Sequence, residues 1–171
     1  MLPIDAEDAP APRRLFPFTH GQYRITTAWL GDLPAIAALE AAVFREPLSL
    51  AALLRLWCRP GTRYLVARRE RRVCAYFGFE LHGPLAHVIA NATADPHRRH
   101  GLATVLVRAG GTLAARAGAR WLQGEVRRSN HTQLSLLQRQ GWQSLGVCPR
   151  FFGDGEDAVL VLHLLPLPPD D

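Results

Sequence analysis

The chain's hydrophobic patterning predicts a single α/β domain of about six to seven strands and about four helices. Three observations carry that expectation. Apolar segments follow one another as strand, two helices, three strands, helix, strand, helix and two strands. A strand-like run over residues 86–93 leads through a basic, glycine-containing loop into a helix-like run from Leu102, an order that builds an anion cradle. The chain has 171 residues, 48% hydrophobic and 20% charged. A chain of that size buries roughly 70% of its unfolded surface, enough for one core.

Residues 1–21 are rich in Pro, Asp, Glu and Ala and read as a loose extension, pinned if anywhere by Leu15, Phe16, Pro17 and Phe18. The domain spans 22–165, and 166–171 form a tail. Residues 23–29 make a first strand. Asp32 is an N-cap candidate, with Pro34 in the first turn of a helix reaching Phe44 and Pro47 ending it. Ser49 caps a second helix through Trp57, stopped near Pro60 and Gly61. Residues 63–68 and 73–81 are two strands around Arg69, Glu70 and Arg71, whose charges are those of a solvated hairpin tip. His82, Gly83 and Pro84 turn into the strand over 86–93. Leu102, Val105, Leu106, Leu113 and Ala114 then recur at helical spacing, and Gly118 is a C-cap. Residues 121–126 form a strand, and 130–140 a helix stopped by Gly141. Residues 143–152 and 158–164 close as an antiparallel pair around Gly153, Asp154 and Gly155. Trp29, Trp57, Trp121 and Trp142 fall inside these elements and are expected in the core.

The formal net charge of +5 comes from arginine, for the chain has no lysine. A modest positive field suits an anionic cofactor or an acidic partner, and no nucleic-acid partner is expected. Cys58, Cys74 and Cys148 are odd in number and far apart, without metal-ligand spacing, so they read as buried reduced thiols. His97 and His100 lie three apart inside the basic loop, and no metal is expected. Cys148 has no evident paired base among its neighbours and reads as packing. The opening residues carry no basic-then-apolar leader, and no apolar run reaches membrane-spanning length. The reading is therefore cytoplasmic, without a membrane partner, as a monomer or homodimer.

The loop over residues 94–104 is the most informative stretch. The first N–H groups of a helix lack intrahelical partners and sit at the positive end of its dipole. Gly101 lets a ligand approach the backbone, and Arg98, Arg99 and His100 add positive charge. A single glycine excludes both the Walker loop and the dinucleotide fingerprint. Arg98-x-x-Gly101-x-Ala103 instead resembles the Arg/Gln-x-x-Gly-x-Gly/Ala signature of the GNAT superfamily of N-acetyltransferases, and the element order is that family's. The segment from Gly124 through Glu125, Val126, Arg127, Arg128 and Ser129 to Asn130 is similar to the Leu-Glu-Val-Arg-x-x-Asn of its RimI-like branch, which acetylates protein N-terminal amines. Gly141-Trp142, Glu156-Asp157-Ala158 and the loop over residues 44–49 stand where that branch has its Gly-Phe, Glu-Asp-Ala and Phe-Pro-Trp-Ser pieces.

The resemblance implies a mixed, mainly antiparallel sheet splayed at the cofactor, and it implies roles. Arg99, His100, Gly101, Leu102, Ala103 and Thr104 would hold the pyrophosphate of acetyl-CoA, with Arg98 opening the signature. Asn91, Ala92 and Thr93 would lie along the pantetheine arm, Asn130 would hydrogen-bond the cofactor, and Glu125 would be the general base. Read alone, Glu125 is a surface salt-bridge partner of Arg127 or Arg128. The chemistry suits the family role. An α-amine titrates at about 7.7–8.0 and must be neutral to attack, so a carboxylate that takes its proton contributes about 10²–10⁴-fold. The acceptor implied is a primary amine, foremost a peptide or protein N-terminus, with a small-molecule amine or a catalytically silent acyl-CoA-binding module as alternatives.

One departure stands out. The family has a tyrosine, the general acid for the leaving thiolate, where this chain has Leu137, and tyrosines near the last hairpin where this chain has Phe151 and Phe152. The thiolate leaves unassisted, another group serves, or activity is lost or redirected.

Overall fold

The computed structural model describes residues 15–166; most of the expected extension and nearly all of the tail lie outside them. Among the described residues, twelve elements follow in order. They are β1 (Phe18–His20), β2 (Tyr23–Thr27), α1 (Leu33–Val43), α2 (Leu50–Trp57), β3 (Thr62–Arg69), β4 (Arg72–His82), β5 (Leu85–Thr93), α3 (Leu102–Arg116), β6 (Trp121–Arg127), α4 (His131–Arg139), β7 (Gln143–Cys148) and β8 (Ala158–Leu164). The strands make one eight-stranded sheet ordered β1-β2-β3-β4-β5-β6-β8-β7, antiparallel everywhere except between β5 and β6. That is one strand more than the patterning predicts. The addition is β1, which pairs with β2 inside the stretch read as extension.

Alternation along the strands sends side chains to two faces. One face packs Ile25, Leu65, Phe77, Phe79, Leu122 and Val161 against α3 and α4. The other packs Tyr64, Val66, Tyr76 and Ala92 against α1 and α2. Helix α3 lies so close to the sheet that a Cβ on Gly110 would come within 2.3 Å of the Phe77 ring. Alanine is the better helix former by about 1 kcal/mol, yet overpacking a filled core costs about 1–3 kcal/mol. Gly110→Ala is therefore expected to lower the melting temperature rather than raise it, as thermal unfolding by circular dichroism would read.

Pairing is shortest at the centre. β5 and β6 are in register only over Leu85↔Trp121, Ala86↔Leu122 and His87↔Gln123. β6 stays with β8 along its whole length, while β5 follows β4 through a register shift beyond Gly78 that leaves Ile89 without a partner. Bulges of this kind bend the strand that carries them. From residue 88 to residue 93 the edge of β5 that faces β6 therefore has no strand beside it.

Several expectations need correction. Asp32 does not cap α1; its carboxylate accepts from the Trp29 N–H at 2.9 Å and pairs with Arg68. Trp29 is 65% exposed, its ring lying over Gly31, and Trp121 is 39% exposed on the side of β6 turned away from α3. Trp57 is half-buried, leaving Trp142 as the core tryptophan. Cys58 is exposed just past α2, whereas Cys74 is buried. β7 ends at Cys148 rather than near Phe152, because Pro149 follows and Arg150 takes a positive φ of 51°.

Candidate functional site

The loop after β5 ends in two left-handed residues, Arg99 at φ 64° and Gly101 at φ 74°, before α3 begins. The N-cap Gly101 has no side chain to offer the helix, so the cap is open. Among the described residues, the backbone N–H groups of Arg99, His100, Gly101, Leu102, Ala103 and Thr104 donate to no backbone or side-chain acceptor. A run of unsatisfied donors at a helix N-terminus is the geometry that takes phosphate oxygens. Leu102 itself is buried, anchoring the helix start.

Side chains brace this loop from below. His20 Nε2 donates to the His100 carbonyl at 2.9 Å, and Tyr23 Oη is hydrogen-bonded to His97 Nδ1 at 3.1 Å. His100 Nδ1 turns back onto the Arg98 carbonyl at 2.9 Å. Arg98 pairs with Asp95 at 2.9 Å, and Gln140 donates to Thr104 Oγ1 at 2.9 Å. Arg98, His100 and Thr104 thus spend their side chains on the loop's own shape, which leaves the backbone facing out. The exposed Arg99 keeps its charge at the surface.

The unpaired edge of β5 leads away from that cradle. On the α3 side of this edge, Asn91 donates through Nδ2 to the Ala103 carbonyl at 3.4 Å, while its Oδ1 is buried without a partner, as is Thr93 Oγ1. Orphaned buried polar atoms are rare and call for a ligand or ordered solvent. Ala92 points to the opposite face and is core. A cradle of open N–H groups, an open strand edge and two orphaned polar atoms fit an extended pyrophosphate-bearing ligand such as acetyl-CoA. Asn130 lies beyond the end of β6, where its Oδ1 accepts from the Gln133 N–H at 3.1 Å and caps α4.

The slot closes where β5 and β6 come together, and there Glu125 meets His87. His87 Nε2 donates to Glu125 Oε2 at 2.8 Å, with side-chain exposures of 38% for the imidazole and 14% for the carboxylate. The hydrogen bond raises His87 above the ordinary 6.5 despite burial, and it lowers Glu125 below the ordinary 4.5 despite burial. The salt bridge with Arg127 or Arg128 is not formed. Arg127 instead reaches Asp154 at 2.9 Å, Glu156 at 2.8 Å and Glu46 at 3.5 Å, with its guanidinium 4.1 Å over the Phe152 ring. Arg128 pairs with Asp157 at 3.1 Å. Glu156, bonded to Ser129 and Arg127, is held down at about 2. Glu46 also accepts from the Asp154 N–H at 3.0 Å, so one cation clasps the loop after α1 to the loop before β8.

The family resemblance singled out Glu125 but not His87, whose signal was a lone polar ring in the otherwise apolar start of β5. Leu137 is 4% exposed in the core and carries no proton. The chain's tyrosines are elsewhere. Tyr23 sits under the loop; Tyr64 is pushed up to about 12, by burial first and then by Glu40 and Glu80; and the buried Tyr76 donates to Glu40.

The model of the acetyltransferase (GNAT) family matches residues 30–142. An N-alpha-acetyltransferase of Sulfurisphaera tokodaii is 32% identical over 153 residues, covering 82% of this chain and 92% of the relative. An uncharacterized N-acetyltransferase of Methanocaldococcus jannaschii is 27% identical over 139 residues, covering 79% and 87%. The crystal structure of the ribosomal-protein-S18-alanine N-acetyltransferase from Escherichia coli superposes with a TM-score of 0.78 at 19% identity, covering 87% of this chain and 97% of that one. No described helix is long and apolar enough to cross a membrane. With its splayed sheet, its cradle and these relatives, the chain belongs to the acetyltransferase (GNAT) family, as an N-acetyltransferase.

Proposed function

We propose that this protein transfers an acetyl group from acetyl-CoA to a primary amine by direct attack in a ternary complex, with a peptide or protein N-terminus as the favoured acceptor. The observation that carries the reading is the run of six open N–H groups from Arg99 to Thr104, leading into a slot that ends at Glu125. The N–H groups hold the pyrophosphate at the positive end of α3. The open edge of β5 pairs with the pantetheine arm as a neighbouring strand would, and Asn91 and Thr93 offer their unpartnered atoms to it. Asn130, whose side-chain oxygen caps α4, would hydrogen-bond the same ligand through its amide N–H, as the resemblance implies. Acetyl-CoA, when bound, supplies the acetyl group as a thioester.

Glu125 takes the proton of the attacking amine, directly or through one water. Its lowered pKa keeps it ionised across the neutral range, so a base is always present, at the cost of some basicity. The α-amine acceptor is supported by the N-alpha-acetyltransferase relative. A small apolar amine is the second reading, favoured by the exposed Phe151 and its neighbour Phe152 where the RimI-like branch has tyrosines.

Isothermal titration with acetyl-CoA is expected to give saturable binding. Thiol release across a panel of peptide N-termini and small amines is expected to favour the peptides. Absence of binding would end the reading, and turnover confined to small amines would move the acceptor to the second class.

A further inference from the structure

The transfer needs a proton delivered to sulfur as well as one removed from nitrogen, and the residue in the family's acid position is the buried Leu137. We infer that His87 is the general acid of the reaction, paired with Glu125 as the base across the closed end of the slot. The assignment rests on the functional reading above and deepens it.

Position comes first. His87 is the last residue of β5 in register with β6, and Glu125 lies two residues beyond its partner Gln123. By strand alternation both side chains stand on the same face of the sheet, the one covered further along by α1 and α2. The slot along residues 88–93 closes at this rung, so a thioester carried down the slot arrives beside this hydrogen-bonded pair.

The hydrogen bonding comes second. Nε2 of His87 is committed to Glu125, while Nδ1 has no hydrogen-bond partner among the described residues. A protonated imidazole has two N–H donors, so Nδ1–H remains for a third party. The ring is the more exposed partner and the carboxylate the more enclosed.

The electrostatics agree. On β4 the register neighbour of His87 is Glu80, itself paired at 3.0 Å with Arg59 from the loop after α2 and lying 3.7 Å from His82. With Glu125 on β6, the imidazole stands between two carboxylates, and their pull outweighs burial to favour the cation. Both carboxylates thus favour the pair as imidazolium and carboxylate over two neutral groups. During transfer the amine nitrogen bonds to the acetyl carbon and the carbon–sulfur bond breaks. The amine proton passes to Glu125, and the Nδ1 proton of His87 passes to sulfur. One proton enters the pair and one leaves it, and exchange with water at the half-exposed imidazole restores the starting charges.

The test compares wild type with His87→Gln, an amide that can still donate to Glu125. The ratio of their kcat/KM values for the fastest acceptor of the panel cancels the titration of the amine itself. It is expected to be about 10² on the acid side of the raised His87 pKa and to shrink as pH rises through it, because the wild type loses its acid there. Acetyl-CoA affinity is expected to hold. Independently of turnover, the His87 ring followed by NMR is expected to stay protonated above the ordinary 6.5 in wild type and to fall back toward it in Glu125→Gln. A pH-independent ratio, His87→Gln within twofold of wild type, or a ring already neutral below 6.5 would overturn the assignment. Wild-type turnover with an unaffected His87→Gln overturns this inference alone. Wild type that neither binds acetyl-CoA nor acetylates any amine overturns the functional reading as well.

Discussion

Gly101→Glu is expected to abolish acetyl-CoA binding while leaving a folded protein. At φ 74° the residue sits in the left-handed region, where a side chain costs about 1–2 kcal/mol. A Cβ there would lie 3.3 Å from His20 Nε2, tight but against the end of a side chain that can give way. A carboxylate at a helix N-terminus recovers about 0.3–1 kcal/mol from the dipole, so the fold loses little. The ligand loses far more. The same carboxylate takes the donors meant for phosphate and sets negative charge against negative charge. Calorimetry should show no heat at concentrations that saturate the wild type, with Gly101→Ala intermediate because it adds strain without charge. Affinity within about tenfold of wild type would mean the diphosphate is held elsewhere; in free energy that is only about 1.4 kcal/mol.

Glu125→Gln is expected to lower kcat by about 10²–10⁴-fold, equivalent to roughly 2.7–5.4 kcal/mol of barrier at 1.36 kcal/mol per decade. Glutamine keeps the volume and can still accept from His87, so the slot keeps its shape. Acetyl-CoA affinity is expected to stay within about threefold, since the carboxylate lies past the end of the stretch that holds the arm. A matched loss of affinity and rate would make Glu125 a strut of the fold rather than the base. Steady-state kinetics on the panel's best acceptor, with calorimetry on the same samples, separate the two.

Much of the architecture was legible because it is written in local periodicity. The helices α1 to α4 and the strands from β2 to β6 follow from spacing, caps and breakers such as Ser49, Pro47 and Gly118. The cradle was legible because a helix start and a lone glycine are neighbours in sequence. What escaped depends on register. His87 and Glu125 are 38 residues apart, and only the short parallel pairing of β5 with β6 brings them together. Arg127 and Arg128, adjacent in sequence, pointed to a surface salt bridge. Arg127 is drawn instead to Glu46 and Asp154, partners 81 and 27 residues away that no local pattern reveals. β1 escaped for a different reason: with only three residues, two half-buried around the exposed Thr19, it is too short for alternation to register as a strand.

The three rungs joining β5 to β6 have a mechanical meaning. The sheet is two leaves stitched along a short seam, one of five strands and one of three. Anything lodged in the open part of that seam adds stitches of its own. A seated coenzyme then shares in the cohesion of the two leaves, and the free protein should breathe most along this line.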